Sequence, residues 1–65
     1  MSSLKEIKET MEKRIKDAEE SLANLEVLIR VGQKAGLDVT QYQIQMSDLK
    51  SRIAKWKEAL KEFEK

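Results

Sequence analysis

The sequence predicts an all-α fold: an antiparallel two-helix hairpin of coiled-coil character, pairing into a four-helix bundle or a higher oligomer. Three observations predict it. Charged residues make up 38% of a chain that has no proline and no cysteine, a composition typical of long amphipathic helices. Apolar residues recur every three or four positions along two long stretches, the period of a helical stripe and not of a strand. Between those stretches, Gly36-Leu37-Asp38 reads as a helix stop followed by a restart. Sixty-five residues allow one domain at most. It is expected to span 1–65, with a helix at 4–35, a turn at 36–38 and a helix at 39–64.

The first helix starts at a capping box. In Ser3-Leu4-Lys5-Glu6, the serine hydroxyl can accept from the backbone N–H of Glu6 while the glutamate reaches back. Leu4, Ile7, Met11, Ile15, Ala18, Leu22, Leu25 and Ile29 then form the stripe. At the other end, Lys34 places a cation in the last turn, where the helix dipole is negative. Gly36 can take the left-handed conformation that closes a helix, and Leu37 can supply the apolar contact that follows it. Asp38 or Thr40 is expected to cap the second helix, each with a glutamine three residues on, Gln41 or Gln43.

The second helix carries the more regular pattern. Val39, Tyr42, Met46, Leu49, Ile53, Trp56, Leu60 and Phe63 alternate steps of three and four, a heptad repeat that supercoils against a partner. A short connection makes neighbouring helices antiparallel, so the numbers of facing residues should keep a constant sum. They do, at 74 or 75. Met11 falls opposite Phe63, Ile15 opposite Leu60, Ala18 opposite Trp56, and Leu22 opposite Ile53. Leu25 falls opposite Leu49, Ile29 opposite Met46, and Gly32 opposite Tyr42. The large rings thus face the small residues Ala18 and Gly32, which keeps packing dense. The same register sets Lys65 beside residue 9. It leaves residues 1 to 8 as an overhang of roughly 12 Å, with Leu4 and Ile7 unmatched within the chain. The run AGLDVTQYQ at the bend resembles the inter-helix turn of many prokaryotic helical hairpins and repeat segments, and singles out no family.

Not every apolar residue fits the stripe. Ala23, Val27, Leu28 and Val31 lie off it on the first helix, and Leu37 and Ile44 lie off it near the bend. A helix that is apolar all round is usually buried all round. These six residues are therefore the expected oligomer or partner interface, with Asn24 and Arg30 flanking it. Self-association is the preferred reading. So short a chain buries little surface, and small folds need a disulfide, a metal or oligomerisation. Cysteine and histidine are both absent, which removes disulfides, thiolate ligands and the commonest metal ligand.

Chemistry is not expected. The carboxylates alternate with lysines along the helices and read as a solvated surface, with Glu9–Lys13, Glu12–Lys16 and Asp48–Arg52 as favourable i, i+4 pairs. Gly32-Gln-Lys-Ala-Gly36 is neither a phosphate loop nor, with its polar interior, a membrane dimer motif. No nucleophile sits beside a plausible base. No catalytic, cofactor-binding or metal-binding residue is assigned, and no cofactor is expected. Net charge is +1, which gives no general attraction to nucleic acid or anionic membrane. One basic face, Lys50, Lys57 and Lys61, could in principle contact phosphates. The expected function is a non-enzymatic structural or protein–protein interaction module in the cytoplasm. The partner is a second copy or, alternatively, a different helical protein docked on the same face. Nucleic-acid binding through the three lysines is a third and less favoured reading.

Overall fold

The computed structural model describes residues 3–64, an all-α helical hairpin 49 Å long and 17 × 15 Å across. Helix α1 runs Leu4–Lys34 and helix α2 runs Thr40–Leu60, continued by a 3-10 segment, Lys61–Glu64. Among the described residues there is no strand. The expected position of Lys65 lies outside the described residues.

Helix α1 begins at Ser3, whose backbone is extended and whose Oγ accepts from the N–H of Glu6 at 3.1 Å. A cap of this kind contributes about 1 kcal/mol. The helix ends in a complete Schellman motif. Leu37 N–H donates to the carbonyl of Gly32 at 2.9 Å, and Gly36 N–H to that of Gln33 at 3.1 Å. Both bonds require the residue after the C-cap to be left-handed, and Gly36 has φ +77°.

The restart differs in detail from expectation. Neither Asp38 nor Thr40 occupies the N-cap position of α2; Val39 does, without a side-chain capping bond. Asp38, one residue earlier, supplies the missing acceptor from outside. Its carboxylate takes the Thr40 backbone N–H at 3.0 Å and the Thr40 hydroxyl at 2.6 Å. These bonds hold the Asp38 carboxyl below the ordinary aspartate pKa, the hydroxyl bond most and the backbone bond next. With Asp38 accepting for the first turn, position 39 is released for an apolar side chain that turns inward.

That inward turn corrects one predicted pair. Val39 is 6% exposed, whereas Tyr42, expected opposite Gly32, is 38% exposed. A Cβ added to Gly32 would meet Cγ1 of Val39, so the space beside the glycine is taken by valine and the tyrosine ring is displaced to the rim. The heptad count treats residue 39 as helical. Its backbone, φ −107° and ψ 16°, is not, yet its side chain is buried as its place on the stripe implies.

Along the middle of the hairpin the stripes meet. Ile15, Ala18 and Ile53 form the core, with Leu22, Leu49, Trp56 and Leu60 packed against it. Ile29 and Gly32 are also buried; Met11, Leu25, Met46 and Phe63 are half-buried. Among the described residues no side chain falls below 2% exposure, as expected for two helices with no third layer.

The ends of the hairpin also depart from a uniform register. Phe63 shares a hollow with Leu4 and Lys8, several residues further along α1 than its expected partner Met11. The 3-10 segment accounts for this in part, since it rises about 2.0 Å per residue where an α-helix rises about 1.5 Å. The amino end is therefore less of an overhang than the constant register implies, although Leu4 remains 73% exposed.

Candidate functional site

The six residues expected to form an interface are all exposed, and the fold does not bring all six together. At 100° per residue, the side of α1 bearing Asn24, Val27, Leu28, Val31 and Ala35 lies about 120° around the helix from the buried stripe. Leu28, Val31, Leu37 and Tyr42 surround an open hollow of about 490 Å³ floored by Gly32 and Val39. Val31 and Leu37 are the most exposed of the group, at 58% and 66%. Val27 continues this surface on the outer side, and Ala23 lies one turn further from the bend. Ile44 stands apart. It is about 160° from the buried stripe of α2, on the outer back of that helix, and no single flat partner reaches both it and Val27.

The side of α2 next to this surface is polar. Gln45, Asp48 and Arg52 face Ser21, Asn24 and Leu28 across a second hollow of about 480 Å³. The apolar candidate surface therefore belongs to α1 and the bend, with α2 contributing Tyr42 alone. Of the flanking residues, Asn24 lies on the candidate side, whereas Arg30 lines the opposite side of the hairpin with Ile29 and Met46.

The basic face is partly neutralised. Lys57 pairs with Glu19 across the hairpin at 3.2 Å, and Lys61 pairs with Glu58 at 3.4 Å. Both pairs are more than half exposed and stabilise little, but they take two of the three expected phosphate contacts. The anticipated pairs Glu9–Lys13, Glu12–Lys16 and Asp48–Arg52 are not among the ion pairs of the described residues. Their long exposed side chains gain only about 0.2–0.5 kcal/mol from such contacts, too little to hold one geometry. No cluster of acidic side chains among the described residues could hold a metal ion.

One feature of the far end escaped the sequence reading. Ile7, Thr10, Met11, Arg14 and Glu6 of α1 surround a hollow of about 390 Å³ against Trp56. Trp56 packs on Ile15, Ala18 and Ile53 with one side and lines this hollow with the other. The signal available was Ile7 itself, an apolar residue on the stripe with no counterpart across the hairpin.

Comparison with family models, curated proteins and solved structures finds no match. No helix among the described residues is long and apolar enough to cross a membrane.

Proposed function

We propose that this hairpin is a non-enzymatic interaction module, acting in the cytoplasm, that self-associates through the bend-proximal side of α1. The observation that carries the reading is the exposed apolar surface of Val27, Leu28, Val31 and Leu37 around the Gly32–Val39 floor. Contiguous apolar surface of this kind marks an interaction site more often than a solvated one. Core size points to a second copy as the occupant. Among the described residues only five apolar side chains are buried and none is fully enclosed, so a chain of this length gains most by sharing apolar surface with itself. The basic-face reading is weakened by the pairing of Lys57 and Lys61 with carboxylates.

Val31→Glu is the test. It places a charge within the surface, at a position 58% exposed and outside the Ile15–Ala18–Ile53 core. Sedimentation should show the parent as a concentration-dependent oligomer and the variant as a monomer of unchanged helicity. A parent that stays monomeric at millimolar concentration overturns self-association and leaves a different helical protein as the occupant of the same surface.

A further inference from the structure

The self-association proposed above has a readable geometry, and the inference here rests on that reading. Along the exposed side of α1, Ser21, Asn24, Leu28, Val31 and Ala35 follow steps of three, four, three and four. This is a second heptad stripe on the same helix, and all five residues are exposed. A heptad stripe fits another helix lying alongside it. The neighbouring side of α2 sets Gln45, Asp48 and Arg52 beside a single half-buried apolar residue, Leu49, and is too polar to complete an apolar core. The partner helix is therefore set against α1 alone, and not between the helices of a closed four-helix core.

We infer that α1 pairs with α1 of a second copy, antiparallel, about a two-fold axis passing between Val27 and Leu28. In such a pairing facing residue numbers again keep a constant sum, here 54 to 56. Leu28 and Val27 then meet their own counterparts at the axis. Asn24 faces Val31 of the second copy, and Ser21 faces Ala35. Off the axis each contact occurs twice, as a two-fold interface requires.

Charge selects this direction. Glu20 and Lys34 lie on the outer border of the same side and are equidistant from Val27, seven residues either way. Antiparallel pairing sets each Glu20 beside a Lys34, twice over. Parallel pairing about a two-fold axis would carry Glu20 and Lys34 to opposite sides of the seam from their counterparts and forfeit both attractions. Neither residue takes part in the hairpin's own ion pairs, Lys57–Glu19 and Lys61–Glu58. The overlap from Glu20 to Lys34 is about 21 Å long, some four turns of helix. That is less than a standard interface of about 1,600 Å² requires, so the pairing is expected at micromolar concentration or weaker.

The absence of native cysteine makes thiol trapping unambiguous. Four single variants at exposed positions serve: Val27→Cys, Glu20→Cys, Lys34→Cys and Ile44→Cys. Each is equilibrated in a glutathione redox buffer, and disulfide-linked dimer is read on non-reducing gels, with circular dichroism verifying the fold. Val27→Cys should trap dimer at about tenfold the level of Ile44→Cys. Glu20→Cys and Lys34→Cys should trap little alone and form a mixed dimer when combined. In an oligomeric parent, a Glu20→Cys and Lys34→Cys mixture that traps no better than Ile44→Cys would overturn the antiparallel geometry while leaving self-association standing. An oligomeric parent whose Val27→Cys variant traps no better than Ile44→Cys would place the contact elsewhere. A monomeric parent would overturn both readings together.

Discussion

Replacing Gly32 with alanine tests how the bend end of the hairpin is held together. The added Cβ would lie 2.6 Å from Cγ1 of Val39, about an ångström inside ordinary carbon–carbon contact at roughly 3.5–4.0 Å. Val39 has little room to yield. It is β-branched and stiff about its first torsion, and it is buried. Either the two helices part locally or the valine leaves its rotamer, an overpacking cost of about 1–3 kcal/mol. Against this, alanine is better than glycine inside a helix by about 1 kcal/mol. The single variant should therefore be less stable by about 0–2 kcal/mol, a range too close to zero to decide anything alone. The double-mutant cycle decides. In a Val39→Ala background Cγ1 is gone and only the helical gain remains, so Gly32→Ala should stabilise by about 1 kcal/mol. The coupling between the two positions is then about 1–3 kcal/mol. Urea melts followed by circular dichroism measure it, at one protein concentration throughout, because self-association adds to apparent stability. Equal stabilisation by Gly32→Ala in both backgrounds would refute the close approach of Val39.

Two further expectations concern the bend. Gly36→Ala should cost about 1–2 kcal/mol, the penalty of a left-handed alanine; no atom lies within 4 Å of the new Cβ, so the loss should be additive with Val39→Ala, and Gly36→Asn should lose less. Asp38 is held below the ordinary aspartate value of 3.8 by its bonds to Thr40. A depressed folded-state pKa contributes stability that is complete above the unfolded value and fades as the pH falls through the folded one. Acid titration of the melting midpoint should therefore show Asp38→Asn with a shallower loss than the parent below pH 3.8; identical profiles would mean that the carboxylate does not serve the restart.

The parts legible in the sequence are those set by local chemistry or by an unbroken period. Ser3-x-x-Glu6 marks a helix start and Gly36-Leu37 a helix stop because capping needs few residues and particular side chains. Ile15, Ala18, Ile29 and Ile53 sit on stripes within continuous helix, where rotation per residue is constant, and they are buried. Legibility failed where that rotation changes. At Val39 the backbone leaves the helical region before α2 begins; Val39 is buried as its place on the stripe implies, but it, and not Tyr42, fills the space next to Gly32. At Lys61–Glu64 the tighter 3-10 geometry carries Phe63 past its counted partner. Placing Ile44 in one interface with Val27 was an error of another kind. Each is off its own stripe, but off-stripe on two different helices does not mean on the same side of the hairpin. The Trp56 hollow was invisible for a third reason: a large ring can be packed on one edge and open on the other, and periodicity assigns only one label.

The contact of Gly32 with Val39 also bears on how the chain reaches this shape. Those residues are seven positions apart, whereas Leu4 and Phe63, which share a hollow at the other pole, are 59 apart (63 less 4). Closing the longer loop from an unstructured chain costs roughly 2 kcal/mol more in entropy. Association that begins at the bend meets the smallest loop first, and each later turn then docks onto an already formed neighbour. Loop entropy thus favours closure from the glycine outward, with Leu4 and Phe63 meeting last.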